Sequence, residues 1–293
     1  MVKRTLFFTK PCRLTLKNAQ LVVENHETGE VKTVPIEDIG VALIENQMVS
    51  ITVPALNALN QNNCAVVFCD SRHMPSSMLM NLDSNSVQSE VYRFQTDASL
   101  PLKKNLWKQV IEAKIRNQAN LLTELGKDSD SLRPLYLNVK SGDSDNREGI
   151  AAKIYWDKLF DGAFIRSRDG ADPNSLLNYG YAILRAGMAR AIMGSGLFPA
   201  FALFHKNRYN AFPLADDLME PYRPYVDQIV YSLFECGVTS LNTASKQALL
   251  RLLFIDTRFK DIMRPLEVGL SITTASLVKC LRGEQKQLSF PVL

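Results

Sequence analysis

Residues 102–126, LKKNLWKQVIEAKIRNQANLLTELG, set Leu102, Leu106, Val110, Ile111, Ile115 and Leu121 at helical spacing, with a charged face between them. Upstream the pattern is that of strands. TLFF, RLTLK, QLVVE, KTVPI, VALIE and VSITV, all within the first 70 residues, are short, rich in Val, Ile, Leu, Thr and Phe, and separated by polar turn formers. ENHETGE, between the third and fourth, has the Gly and polar cluster of a hairpin. PALNALNQNN reads as one short helix, followed by a buried strand CAVVFCD. The period changes near residue 86, in the polar bridge SNSVQSEVYRFQTDASLP, and stays helical through GIAAKIYWDKLF, NSLLNYGYAILRAGMARAIM and the segments from PYVDQIVYSLFECG to CLRG. The expectation is an α+β chain: a small, mostly antiparallel β domain over 1–85 and a larger, all-helical domain over 86–293.

At 293 residues the chain can bury a large core and is long enough for two domains. No apolar run approaches the roughly 18 to 20 residues that span a bilayer, and MVKRTLFFTKPCRLTLK lacks the hydrophobic stretch of a secretory signal, so a cytoplasmic location is expected. Cys12, Cys64, Cys69, Cys236 and Cys280 are odd in number and scattered, which favours reduced thiols over a disulfide framework or zinc ligands. The net charge of +4 is uneven. Residues 1–100 hold eight Lys and Arg against ten Asp and Glu, a balance of −2, so the remainder carries +6. That tolerates a polyanion; it is equally the charge of an ordinary solvated surface. There is no Walker A sequence and no Rossmann glycine fingerprint, so nucleotide hydrolysis and hydride transfer have no anchor.

Residues 205–223, HKNRYNAFPLADDLMEPYR, place one histidine and three acids among aromatics and arginines. His205 follows the apolar stretch GSGLFPAFALF, which delivers its ring to the interior or to a cleft floor. Asp217 and Glu220 lie three apart, on one helical face, where their mutual repulsion calls for a cation. Carboxylates with a single imidazole suit Mg²⁺ or Mn²⁺ better than zinc. The competing reading is a satisfied core histidine followed by an acidic helix start. Pro221 and Pro224 remove donors and should end or kink the helix just after Glu220.

Glu148 opens the helix after SGDSDN, and Asp145 three residues before it resembles a capping box. Glu148, Ala152, Tyr155 and Leu159 nonetheless share one stripe, so the carboxylate points the way core residues do and needs a partner. A cation shared by Glu148, His205 and Glu220 would supply one. Asp217 is a ligand or an orienter of His205; Asp216 is expected to face solvent. Arg208 and Arg223 flank the site and have the geometry to hold phosphates.

At NREGIAAKIYWDKLF, SLLNYGYAILRAGMARAIMGSGLFPAFALFH and FPLADDLMEPYRPYVD the chain resembles the CRISPR-associated adaptation endonuclease and integrase, the first of the two universal adaptation proteins. The resemblance covers nearly the whole chain and is closest to the type II versions. It implies that Glu148, His205 and Glu220 are the catalytic metal ligands for Mg²⁺ or Mn²⁺, that Asp217 is a supporting acid, and that Asn178, in the NYGY segment, positions substrate. Arg208 would replace a lysine that often follows the histidine. It further implies a homodimer formed through the β domain, with two dimers flanking a dimer of the second adaptation protein. Double-stranded DNA, as foreign fragment and as repeat, is the implied substrate, and type II accessory proteins are candidate partners. The implied reaction joins short foreign DNA to the repeat array by 3′-hydroxyl attack on a phosphodiester. A non-catalytic, DNA-binding architectural subunit of the same complex is the alternative.

Overall fold

The computed structural model describes residues 3–81, 83–162, 164–167, 170–205 and 207–293. Strands come first: β1 (Arg4–Phe8), β2 (Cys12–Lys17), β3 (Gln20–Asn25), β4 (Val31–Pro35), β5 (Ile39–Ile44) and β6 (Ser50–Ile51), then α1 (Val53–Gln61), β7 (Ala65–Cys69) and β8 (Pro75–Leu79). Helices follow: α2 (Gln88–Asp97), α3 (Leu100–Glu124), α4 (Arg133–Leu137), α5 (Arg147–Leu159), α6 (Asn174–Gly194), α7 (Pro213–Met219), α8 (Arg223–Glu235) and α9 (Thr243–Leu250). A hairpin of β9 (Asp256–Phe259) and β10 (Ile262–Pro265) precedes α10 (Leu266–Leu281).

The strands form two sheets, ordered β1-β5-β7-β8 and β4-β3-β2-β6. Every residue of β5, IGVALI, is buried. Val41 and Leu43, with Ala65, Val67 and Cys69 of β7, join the core that the helices build. Ala42, Ile44 and Val66 join a smaller core with Leu14, Leu21, Ala55 and Leu59. A strand apolar on both faces belongs in a covered sheet with parallel neighbours, and β5 is parallel to both β1 and β7.

The expectation of a mostly antiparallel β region therefore holds only in part. β2-β3-β4 and β7-β8 are antiparallel, whereas β1-β5-β7 and β2-β6 are parallel. Parallel neighbours need long crossovers; here β2, β3 and β4 lie between β1 and β5, and α1 lies between β5 and β7. The expected strand VSITV shortens to β6 because Pro54, in the first turn of α1, is seated where a helix needs no N–H.

α3 starts at Ser99, whose side chain accepts from Leu102 N, and has a proline in its first turn. It ends where Gly126 takes φ 71°, letting Lys127 N donate back to Leu122 O at 2.8 Å. Its apolar stripe packs into the main core with Trp107 fully buried. α6 packs against α7, α8, α9 and α10, and its close approach to α8 depends on Gly180: a Cβ there would come within 2.4 Å of Val226 Cγ1. Among the described residues after 86 the named elements are helical except for β9-β10, which corrects the all-helical expectation. DTRF alternates exposed and buried residues, and the chain reverses through Lys260 at φ 48°. Arg190 Nε on α6 donates to Asn63 O at 2.7 Å, and Lys246 on α9 pairs with Glu45, so the helices are tied to the first sheet. Among the described residues no helix is long and apolar enough to cross a membrane.

Candidate metal centre

Trp107, Ile111, Lys114, Gln118 and Leu121 follow one another at alternating four- and three-residue spacing along α3, so a lysine and a glutamine sit in the apolar stripe. A buried ammonium needs a buried counter-charge. Lys114 has two: its Nζ lies 2.6 Å from Glu148 Oε1 and 2.6 Å from Glu220 Oε2. Burial alone would lower the Lys114 pKa, but the Glu220 and Glu148 carboxylates outweigh it and raise the group above its ordinary value.

Glu148 reaches this point from the first turn of α5. Its capping duty is taken by others: Asn146, at φ 52°, accepts from Gly149 N, and the Asp143 carboxylate accepts from Arg147 N at 2.8 Å and Glu148 N at 3.1 Å. Asp145, the residue expected to cap, pairs instead with Arg147 at 2.9 Å. The Glu148 side chain is thereby left free to turn inward.

Glu220 arrives from the opposite side, in a 3-10 turn (Glu220–Tyr222) joining α7 to α8. The prolines at 221 and 224 make this break, as expected, and free the Pro221 carbonyl, which accepts from Asn117 Nδ2 at 2.7 Å. Glu220 is 4% exposed. Arg223 Nε donates to its Oε1 at 2.7 Å. Burial would raise its pKa, but Arg223 and Lys114 outweigh that and hold it well below the usual carboxylate range. Its Oε2 lies 2.6 Å from the Lys114 ammonium, so the cation this oxygen faces is the lysine.

His205 is aimed by Asp217. That carboxylate is fully buried and accepts from Leu203 N at 2.7 Å, Phe204 N at 2.9 Å and His205 N at 3.3 Å. Its Oδ1 also lies 2.5 Å from His205 Nδ1, a contact that raises the imidazole pKa despite the opposing effect of burial. Asp217 is thus an orienter with its oxygens occupied, and Nε2 is the ring nitrogen left for a ligand. Trp107 backs the loop, stacked on Phe204 and edge-on to His205 at 5.4 Å.

A second group lies alongside. A cavity of about 220 Å³ is lined by Lys114, Gln118, Trp156, Arg166, Glu220 and Arg223, among others. Arg223 and Arg166 both lie over the Tyr181 ring, at 4.4 and 5.4 Å. Tyr181 Oη and Tyr155 Oη donate to Asp227, whose carboxyl burial pushes up to about 6. Asn178 accepts from Arg166 Nη2 at 2.8 Å, so it steadies an arginine of this cavity. Arg208 lies apart: it is exposed and stacks on Tyr209. Asp216, expected to face solvent, is half-buried and pairs with Arg185 at 2.9 Å.

The donors suit a hard divalent ion: two carboxylates already sharing one cation, and an imidazole nitrogen held ready. Among the described residues no three acidic, His or Cys side chains already close on a metal position. The Lys114 ammonium stands where Glu148 and Glu220 converge. Sequence reasoning missed Lys114, Gln118 and Arg166, although a lysine inside the α3 stripe was the signal for the first.

The family described as CRISPR associated protein Cas1 matches residues 6–263 of the chain. The CRISPR-associated endonuclease Cas1 of Neisseria meningitidis serogroup C (strain 8013) is 39% identical over 257 residues, covering 86% of this chain and 84% of that one. Among solved structures, a casposase bound to integration product has a TM-score of 0.80 at 20% identity, covering 98% of this chain and 92% of that one. A chain of a Cas6-RT-Cas1–Cas2 complex has a TM-score of 0.75 at 17% identity, covering 98% of this chain and 36% of that one. At such identities these two structures bear on the fold alone.

Proposed function

This chain belongs to the Cas1 family of CRISPR-associated proteins, and from that footing we propose that it is a metal-dependent DNA endonuclease and integrase of CRISPR adaptation. The observation that carries the reading is the convergence of Glu148 and Glu220, from α5 and from the α7-α8 turn, on one buried cation beside the Asp217-steered His205. In this reading Glu148, Glu220 and His205 Nε2 hold Mg²⁺ or Mn²⁺. When bound, the ion polarises the scissile phosphate and offsets the negative charge that builds on it.

The protein's own groups do the rest. Asp217 keeps Nδ1 engaged, so His205 presents Nε2 in one orientation. Arg223, fixed by Glu220 and the Tyr181 ring, and Arg166, fixed by Asn174 and Asn178, line the cavity where a strand phosphate would lie. A 3′-hydroxyl oxygen of the foreign fragment forms a bond to phosphorus while the bond to the repeat strand's 3′-oxygen breaks. The hydroxyl proton leaves with solvent and the new 3′-oxygen takes one up, so bond number is conserved and no nucleotide is consumed. With water as nucleophile the same site cuts DNA. The reading includes residues 1–85 as a homodimerisation unit, and Cas2 as partner, in line with the Cas1–Cas2 assembly named for one structural neighbour.

The test is strand transfer of a short duplex into a supercoiled plasmid carrying the repeat, with Cas2 and Mn²⁺ or Mg²⁺, comparing the unaltered chain with Glu148→Ala, His205→Ala and Glu220→Ala. Joining should vanish in all three while DNA binding persists. Joining in EDTA, or full activity in the variants, overturns the reading.

A further inference from the structure

The Lys114 ammonium has two seats within reach. With Lys114 and Arg223 positive and Glu148 and Glu220 negative, the group is neutral, which lets two poorly solvated carboxylates lie together without a metal. A divalent ion bound by the same carboxylates would stand against the ammonium and repel it, so Lys114 cannot keep its place beside the ion. One turn further along α3, Gln118 is 4% exposed, and its buried Oε1 has no hydrogen-bond partner. Residues four apart share a helix face, and the cavity of about 220 Å³ is lined by both side chains. Its wall also carries Glu220 and Asp227, so an ammonium there would not face Arg166 and Arg223 alone.

We propose that Lys114 is a resident stand-in for the metal, a positioning residue that bridges Glu148 and Glu220 in the metal-free protein and moves to Gln118 Oε1 when the ion takes the carboxylates. The inference rests on the metal reading above. It explains a buried acceptor with no donor, and it gives the flexible four-carbon stem of lysine a use that arginine would serve less well.

The experiment is Mn²⁺ titration followed by the electron paramagnetic resonance of the free ion, with thermal melts in EDTA and in Mn²⁺. It compares the unaltered chain with Lys114→Met, Gln118→Leu and Glu148→Gln. Lys114→Met should melt lower in EDTA, by about 5 °C or more, and recover in Mn²⁺. It should also bind Mn²⁺ about tenfold or more tightly, since no ammonium competes. Gln118→Leu leaves both carboxylates in place and removes a buried unpaired acceptor, so it should keep or raise the EDTA melting temperature and bind Mn²⁺ about fivefold or more weakly, because the displaced ammonium loses its second seat. If Lys114→Met binds Mn²⁺ no more tightly than the unaltered chain, or Gln118→Leu binds it equally well, the proposal is wrong while the metal reading stands. Should Lys114→Met fail to fold in EDTA, Gln118→Leu alone decides. If Glu148→Gln binds Mn²⁺ as the unaltered chain does, the ion is elsewhere and both readings fall.

Discussion

Asp217 Oδ1 lies 2.5 Å from His205 Nδ1, and the same carboxylate accepts from the backbone of residues 203 to 205, so ring and loop are set by one buried group. Asp217→Asn replaces one of two acceptor oxygens by a donor facing N–H groups. It should destabilise the protein by about 1–3 kcal/mol. On the metal reading it should also weaken Mn²⁺ binding by about 10- to 100-fold. Urea unfolding and metal titration measure the two effects separately, and an unchanged Mn²⁺ affinity would remove Asp217 from the site.

Glu220→Gln strips the counter-charge shared by Lys114 and Arg223 while keeping the volume. Lys114 keeps Glu148, so the loss falls chiefly on the half-buried Arg223; a fully buried pair broken this way costs about 3–5 kcal/mol, and about 1–3 kcal/mol is expected here. The loss should appear in urea unfolding even in EDTA, where no metal contributes; a change below about 1 kcal/mol would mean that water reaches this pair freely.

Asp227 gives a pH signature. Burial pushes its carboxyl up to about 6 from 3.8, so the folded chain holds this proton more tightly than the unfolded one. Its contribution is fully present below the unfolded value and is lost as pH rises through 6. Asp227→Asn keeps polar partners for Tyr155 and Tyr181 and never ionises. Relative to the unaltered chain it should therefore gain stability between about pH 4 and pH 7, by roughly 1–3 kcal/mol. Urea midpoints at the two pH values test this, and parallel behaviour of the two proteins would refute it.

Gly180→Ala presses a methyl against Val226 Cγ1 and Leu249 Cδ2 at the crossing of α6 with α8 and α9. Despite the better helix propensity of alanine, overpacking should dominate and cost about 1–3 kcal/mol. A thermal melt raised by the substitution would show that α8 yields easily.

The chain's own pattern revealed the helix periods, most of the strands and the break at Glu220, since each depends on neighbours within a few residues. Glu148, Asp217, His205 and Glu220 stood out because charged or imidazole groups on apolar faces demand partners. What could not be read was long-range. Parallel pairing of β5 depends on segments that only the fold brings together. The hairpin DTRFKDIMRP was lost in a helical neighbourhood. Lys114 looked like one more charge on a charged helix until its position in the stripe was set against Glu148 and Glu220, 34 and 106 residues away in sequence. Arg208, singled out for its place after His205, belongs to an exposed turn with Tyr209.

β5 and β7 act as a party wall between two interiors. From Val41 onward, odd positions answer to the helices and even positions to the outer sheet and α1. Substitutions at 41, 43, 65 and 67 should therefore couple more weakly with those at 42, 44 and 66 than with one another, since the two sets share backbone but not side-chain partners. A register slip of a single residue, by contrast, would exchange the tenants of both rooms at once. The same strand that makes the two interiors independent in composition makes them inseparable in folding.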